Sequence, residues 1–406
     1  MPHINPTRLM DDLTHLRSFG ASGTGVMRPS LSPVDMAARH WLRERMTAAG
    51  LEAHIDGVGN VIGRSRNPGK ALLVGSHSDT QPRGGWLDGA LGVIYGLEIA
   101  RALAEDPATR DLAVDAVAWV DEESTYLGCL GSRSFCGIVS QADIDAASNA
   151  QGERLTDALV AAGLDGIAPA RLETKRYVGY LEAHIEQGPH LEAAGNTIGV
   201  VTSIVGIRGC RIEFHGQQNH AGTTPMPRRR DAGVALIDFA YKLRQAFQAI
   251  AGPQTVWTIG RVTFSPGAQS IIPGEADMVL QYRDPEEERL DQLEAAVHDL
   301  AATANREGPV EVKVVQSRAP IAPTIMDAAL QQHLAQAAER HAAAAWVHMP
   351  SAAGHDPMVL SAHLPCGMLF IPSINGISHD FAEDSHEADI IRGCQVLADA
   401  AASLLG

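Results

Sequence analysis

The sequence predicts an α/β fold in which a large, mostly parallel mixed sheet is flanked by helices and a smaller α+β domain is inserted. Three observations predict it. Short apolar strand segments alternate with helical spacing through the first part of the chain. The order changes after Gly206 to β-α-β-β-α-β, and α/β character returns from residue 323. A chain of 406 residues exceeds one ordinary hydrophobic core, so two domains are expected: 1–206 with 323–406, and 207–322.

In order along the chain, residues 34–49 have the spacing of an amphipathic helix, with Met36, Ala37, His40, Trp41 and Met46 among polar residues and Gly50 where the helix would stop. Residues 52–62 read as one strand. Residues 71–75 form a short buried-type strand leading into a polar loop, 76–88, and 92–104 return to helical spacing. Residues 113–120 alternate, are apolar, and end at three acidic residues. In the inserted part, 207–215 reads as a strand, 231–249 as a helix, 254–264 and 275–283 as strands, 286–305 as a helix and 309–318 as a strand.

Composition excludes several classes. Hydrophobic residues make up 45% and charged residues 20%, a globular balance without a disordered tail. A net charge of -16 repels phosphate backbones and anionic membrane surfaces, so neither nucleic acid nor membrane is an expected partner. The start has no apolar leader and no stretch is long enough to span a bilayer, which predicts a cytoplasmic protein. Five scattered cysteines fit reduced thiols, with Cys129 and Cys136 close enough to the acidic cluster to raise the question of oxidation.

Candidate chemistry gathers in loops. His77 and Asp79 follow an apolar strand; Asp79 belongs to the catalytic set if its carboxylate accepts the other ring N–H of His77. Asp88 lies between small residues that let a cation approach. Asp121, Glu122 and Glu123 must face water or be neutralised, and one can serve a metal while its neighbour moves protons. In residues 180–188, strand alternation puts Glu182, His184 and Glu186 on one face. His77, Asp88, Glu123, His184 and His379 together offer nitrogen and oxygen donors without thiolate, a set suited to two divalent cations sharing a carboxylate.

These motifs resemble a known family: the N-carbamoyl-L-amino acid hydrolases with β-ureidopropionase and allantoate amidohydrolase, within the aminoacylase and carboxypeptidase G type metallohydrolases. The resemblance spans nearly the whole chain. It is carried by Gly75-Ser-His-Ser-Asp79, Leu87-Asp-Gly89, Asp121-Glu-Glu123, Leu181-Glu-Ala-His-Ile-Glu-Gln-Gly188, Asn219-His-Ala-Gly-Thr-Thr-Pro-Met226, Ile272-Pro-Gly274, Gly354-His-Asp356 and Gly376-Ile-Ser-His379.

The resemblance implies two divalent ions per subunit, Zn or Mn, with Co or Ni as alternatives. Asp88 would bridge them, His77 and His184 would complete one site, and Glu123 and His379 the other. It further implies Glu122 as general base and His220 as the oxyanion donor, supplied by the small lid and dimerisation domain of a partner in a homodimer. A small carboxylate-bearing substrate would meet Arg283, Gln187, Gly354 and His355. Ser270 stands where relatives usually carry Asn before the Ile-Pro-Gly turn, and Ser124-Thr-Tyr126 replaces the usual Gly-Ala-Arg, departures that bear on specificity. The expected activity is cleavage of the ureido C–N bond of an N-carbamoyl-L-amino acid or related ureido acid. An aminoacylase or dipeptidase is the alternative, and a metal-containing binding protein without turnover is disfavoured by Glu122.

Overall fold

The computed structural model describes residues 1–316 and 319–406; Ser317 and Arg318, at the end of the strand expected over 309–318, lie outside the described residues. The chain forms two units, Met1–Thr202 with Ile325–Gly406, and Ser203–Thr324.

In the first unit, helices α1 (Pro6–Ser18) and α2 (Pro33–Ala48) precede strands β1 (Glu52–Ile55), β2 (Val61–Arg64) and β3 (Ala71–His77). Helix α3 (Ala90–Glu105), β4 (Ala113–Trp119), β5 (Tyr177–Ile185) and β6 (Ile198–Ile204) follow. Helices α1 and α2 have start signals in the sequence: Asn5 caps α1 and Ser32 caps α2, each with proline in the first turn.

The second unit contributes β7 (Gly206–His215), α4 (Ala232–Ile250), β8 (Val256–Ser265), β9 (Glu275–Asp284), α5 (Glu287–Glu307) and β10 (Glu311–Gln316). Its sheet is antiparallel in the order β8-β9-β7-β10. Phe214, Met278 and Leu280 of the strands pack with Leu236, Phe239 and Phe247 of α4 and Leu290, Leu293 and Val297 of α5. The β-α-β-β-α-β order is the one expected.

The chain then returns with α6 (Ala328–His341), β11 (Trp346–Ser351), β12 (Cys366–Ile371) and α7 (Glu387–Leu405). Among the described residues the main sheet has nine strands: β6-β12-β5-β3-β4-β2-β1 in order, with β11 and the short strand Thr324–Ile325 joined to β6. Its centre, β12-β5-β3-β4, is parallel. β6 and the β2-β1 hairpin run antiparallel at either side.

Parallel strands covered on both faces are mostly apolar, and β3, β4 and β12 are buried at every residue. Residues 113–120 were expected to alternate; instead both faces are covered, and the one charge inside, Asp115, is matched by Arg176 at 2.7 Å. Helix α3 is buried around most of its circumference and joins Leu91, Ile94 and Leu97 to Leu72, Val74, Leu181 and Leu369 in one core.

Two local expectations change. Residues 52–62 are not one strand but a hairpin, because the Asp56 carboxylate accepts the N–H groups of Val58, Gly59 and Asn60 and turns the chain. Helix α2 buries Met36, Ala38, Leu42 and Met46 together with the charged Asp35 and Arg39, while Ala37 and His40 are exposed. Arg39 reaches Asp35 at 2.7 Å and the Trp119 carbonyl at 3.2 Å, so a charged pair replaces part of the expected apolar stripe.

Candidate metal centre

Every candidate donor lies at or beyond the carboxyl end of a parallel strand, where open α/β sheets hold their sites. His77 is the last residue of β3 and pairs with Trp119, the last of β4; His184 lies in β5 beside Phe370 of β12. Asp88 precedes α3, Glu122 and Glu123 follow β4, and His379 lies in the segment after β12. Gly89 makes the approach feasible: its φ is +65°, and a Cβ there would stand 2.5 Å from the His77 ring.

These side chains converge. Asp88 Oδ1 lies 3.0 Å from His184 Nε2 and 3.4 Å from His77 Nε2. Its other oxygen, Oδ2, lies 3.2 Å from His379 Nε2, which is 3.5 Å from Glu123 Oε1. Among the described residues, His77-Asp88-His184 and Asp88-Glu123-His379 are thus two three-donor groups sharing one carboxylate. A third group, Glu182-His184-His355, is less open, because Glu182 already accepts from Ser76 Oγ and Tyr180 Oη, both at 2.8 Å.

Tautomers follow from backbone partners. His77 Nδ1 faces the Asp79 carbonyl at 3.0 Å and His184 Nδ1 the Ile185 carbonyl at 2.9 Å, and carbonyl oxygens only accept. Both Nδ1 atoms therefore carry protons, and the Gly89 N–H donates to His184 Nε2 at 3.1 Å, marking a lone pair there. Two imidazole nitrogens and a carboxylate oxygen turned on one another call for a positive charge among them, and the donor set fits Zn or Mn. Glu123 Oε1, buried and without a hydrogen-bond partner, fits the same reading.

The Asp79 expectation is corrected in detail. Its carboxylate is 3.8 Å from His77 Nδ1, because the tight turn brings its own carbonyl closer. The carboxylate instead accepts the Glu123 N–H at 3.2 Å and lies 3.9 Å from Arg39. It braces the Glu123 backbone rather than the imidazole.

The three acidic residues divide. Asp121 turns inward at φ +57° and accepts the N–H groups of Thr125, Tyr126 and Leu127. Glu123 accepts from Gln81 Nε2 at 2.7 Å. Glu122, with its side chain 13% exposed, lies 3.8 Å from His77 Nε2.

Burial raises the Glu122 carboxyl well above its ordinary range, with Glu123 and Asp356 adding to it against His77. Burial and then Asp88 push Glu123 up to about 7. The hydrogen bond to Asp88 raises His379 to about 9. For Asp88 burial acts the other way, but His184, His379 and His77, when protonated at Nε2 as well, outweigh it and hold the carboxyl well below its ordinary value. Non-glycine residues in the left-handed region gather here too: Asp121, Ser124, Cys129, Gln187 and His379.

Of the expected substrate contacts, Gln187 points its amide at Asp88 Oδ2, Ser378 Oγ and His379 Nε2. Gly354 is exposed, whereas His355 is buried, bonded to Ser351 Oγ at 3.0 Å and packed on the His184 ring at 4.5 Å. Glu186 does not share a functional face with His184; it accepts the N–H groups of His190 and Leu191 and starts a short helix. Burial pushes the Cys129 thiol well above its ordinary value and Cys136 up to about 12, which opposes oxidation.

His220, Ser270 and Arg283 belong to the second unit. His220 is exposed; its Nδ1 accepts the N–H groups of Gly222 and Thr223, which leaves the ring proton on Nε2. The Ser270 carbonyl accepts the N–H of Ala221, next to His220. Arg283 is half-buried, and its Nε bonds Gln281 at 3.1 Å.

Sequence reasoning passed over Gln81, which holds Glu123, and Glu383, which accepts the Leu87 and Asp88 N–H groups. Neither belongs to a periodic pattern, and their partners are fixed only when distant loops meet.

An α/β sheet presenting paired three-donor groups around one shared carboxylate is a candidate two-ion centre. Comparison with known proteins narrows this. The model of peptidase family M20/M25/M40 matches residues 73–403. An N-carbamoyl-L-amino-acid amidohydrolase of Paenarthrobacter aurescens is 35% identical, with 96% of each chain covered. Allantoate amidohydrolase of Escherichia coli is 32% identical over 96% of this chain and 95% of its own. The crystal structure of an amidase of the hydantoinase/carbamoylase family from Burkholderia phymatum has a TM-score of 0.95 and 54% identity, covering 100% of this chain and 99% of that one. The chain belongs to peptidase family M20/M25/M40 and is a hydrolase of amide or ureido C–N bonds. Among the described residues, no helix is long and apolar enough to cross a membrane.

Proposed function

We propose that the protein hydrolyses the ureido group of an N-carbamoyl-L-amino acid or a close ureido acid, releasing the amino acid, carbon dioxide and ammonia. The observation that carries this is the pair of donor groups sharing Asp88 with Glu122 beside them, in a chain whose relatives bear ureido-hydrolase names. His77, Asp88 and His184 would hold one divalent ion and Asp88, Glu123 and His379 the other, as Zn or Mn, with Co or Ni as substitutes. Such ions supply Lewis-acid polarisation of the scissile carbonyl and make water more acidic.

The protein's own part is proton transfer and orientation. Glu122, raised in pKa and 3.8 Å from His77, takes a proton from the attacking water and returns it to the leaving nitrogen. Asp79 and Gln81 hold Glu123 from its backbone and its carboxylate, keeping Glu122 and Glu123 turned apart. His220 offers an outward Nε2–H suited to a developing oxyanion. Arg283 is the proposed carboxylate clasp, its planar fork matching both oxygens, with Gln187, Ser270, Gly354 and His355 as further substrate contacts.

We also assign the second unit a lid and dimerisation role. Edge strand β8 exposes Val256, Ile259, Val262 and Phe264, and α4 exposes Val234, Ile237 and Tyr241, apolar surface that a second copy would cover. Sedimentation at assay concentration tests the dimer: a fully active monomer contradicts it. Five free thiols support cytoplasmic residence.

An aminoacylase or dipeptidase is the second reading, in which the same paired donor groups would serve an acyl or peptidyl amide. A panel of N-carbamoyl-L-amino acids, ureidopropionate, allantoate, N-acetyl amino acids and dipeptides separates the two. Metal-dependent ammonia release from ureido substrates supports the first; cleavage confined to acyl or peptidyl amides supports the second.

A further inference from the structure

Three segments carry the residues assigned to the second ion: the turn before α3, with Asp88, the stretch after β4, with Glu123, and the stretch after β12, with His379; the first and the last of these are tied to each other. One buried carboxylate joins them. Glu383 Oε1 accepts the backbone N–H of Leu87 at 3.2 Å and of Asp88 at 3.0 Å, and Oε2 accepts the Ser378 hydroxyl at 2.8 Å. Glu383 is 2% exposed, and a Cβ on Gly85 would stand 1.8 Å from its Oε1. Three donors on two oxygens direct this side chain at the protein.

The two ion sites differ in what fixes them. His77 and His184 are strand residues held in register by the central sheet. His379 has no strand; it sits at φ +54° beside Ser378. Its distance of 3.2 Å from Asp88 Oδ2 depends on how the two segments are tied.

We propose that Glu383 is the positioning residue of the second ion site, tying Asp88 to the Ser378–His379 segment so that Asp88-Glu123-His379 closes as a donor set; His77-Asp88-His184 shares Asp88 but has its two imidazoles fixed by the sheet, and so depends on Glu383 less. This rests on the two-ion reading above. Outer partners of metal ligands typically change affinity by about 10- to 100-fold, and that is the scale expected at the second site, with a smaller loss at the first through the shared Asp88.

The test is a titration of metal-free protein with Co²⁺, following visible absorbance and the metal retained after desalting. Wild type binds two ions. E383A weakens the second binding event about 10- to 100-fold and the first by clearly less. E383Q recovers most of the loss, because its carboxamide oxygen accepts both N–H groups and its NH₂ donates to Ser378. G85A, whose new methyl displaces the carboxylate, reproduces E383A without touching it, and S378A gives a smaller loss of the same kind. Should E383A fail to fold, G85A and S378A carry the comparison. Equal weakening of both events, or no change in either, overturns the proposal. A wild type that binds fewer than two ions removes the two-ion reading, and this proposal with it.

Discussion

Strand β4 carries buried acid at both ends, and the two ends treat it differently. Near the amino end, Asp115 is saturated: Oδ1 accepts from Ser65 N and Arg176 Nη2, and Oδ2 from Arg176 Nε and Tyr177 Oη. Beyond the carboxyl end, Asp121 is equally saturated by backbone N–H groups, but Glu123 keeps one buried oxygen unpartnered and Glu122 faces an imidazole. A buried carboxylate with a guanidinium on it is scaffolding. Acceptors turned toward one another fit a binding site, because either a bound cation or added protons must relieve that arrangement, as the raised Glu122, Glu123 and His379 show.

Four perturbations sharpen this contrast. The largest effect is expected from Glu122→Gln, which should lower kcat by about 10²- to 10⁴-fold while bound metal and melting temperature stay as in wild type. Metal analysis, calorimetry and kinetics on one preparation check all three. At the other end of the strand, Asp115→Asn leaves Arg176 half-buried without its charge partner and should cost about 3–5 kcal/mol of stability in urea unfolding. Metal stoichiometry and KM of its folded fraction should not move; loss of metal would erase the distinction between the two ends.

A smaller effect is linkage. Added Mn²⁺ at a hundred times its Kd should stabilise the wild type by about 2.7 kcal/mol per site, and Asp88→Asn should forfeit this while Asp115→Asn retains it. Thermal unfolding with and without the ion reads the difference.

The smallest concerns an exposed pair far from either end. The hydrogen bond from Arg8 holds the Glu105 carboxyl below its ordinary value of 4.5, against a slight burial effect. A depressed folded-state pKa means the unfolded chain takes the proton first. The stabilisation is therefore present above the ordinary value and lost as pH falls through the folded one. Glu105→Gln should cost under about 1 kcal/mol at pH 7, with the gap to wild type closing toward pH 3. A gap that widens on acidification would contradict the sign.

Much of this was legible in the sequence. The alternation of short apolar strands with helical segments marked a mostly parallel sheet, and the polar residues ending β3 and β4 marked its carboxyl edge, although β4 was read as alternating and is buried throughout. The β-α-β-β-α-β order of the insertion was readable because each element has its own period. Other features were hidden for physical reasons. Asp79 was expected to use its carboxylate on His77, but a backbone carbonyl does that work, and backbone geometry has no letter in a sequence. The hairpin at Asp56 was missed although Asp-Gly stands there, because the alternation on either side is continuous enough to read as one strand. Asp35 and Arg39 look like solvent-facing residues of a helix until the carbonyl of Trp119 arrives from β4. Glu383 and Gln81 act on loops that meet only in the folded chain.

The most direct measurement is ammonia release from an N-carbamoyl-L-amino acid while chelated protein is reloaded with Mn²⁺ and bound metal is counted in the same samples. The account predicts no release from the metal-free protein and a rate that climbs to a plateau at two ions per chain. Release that persists after complete metal removal, or saturates before the second ion binds, would contradict it.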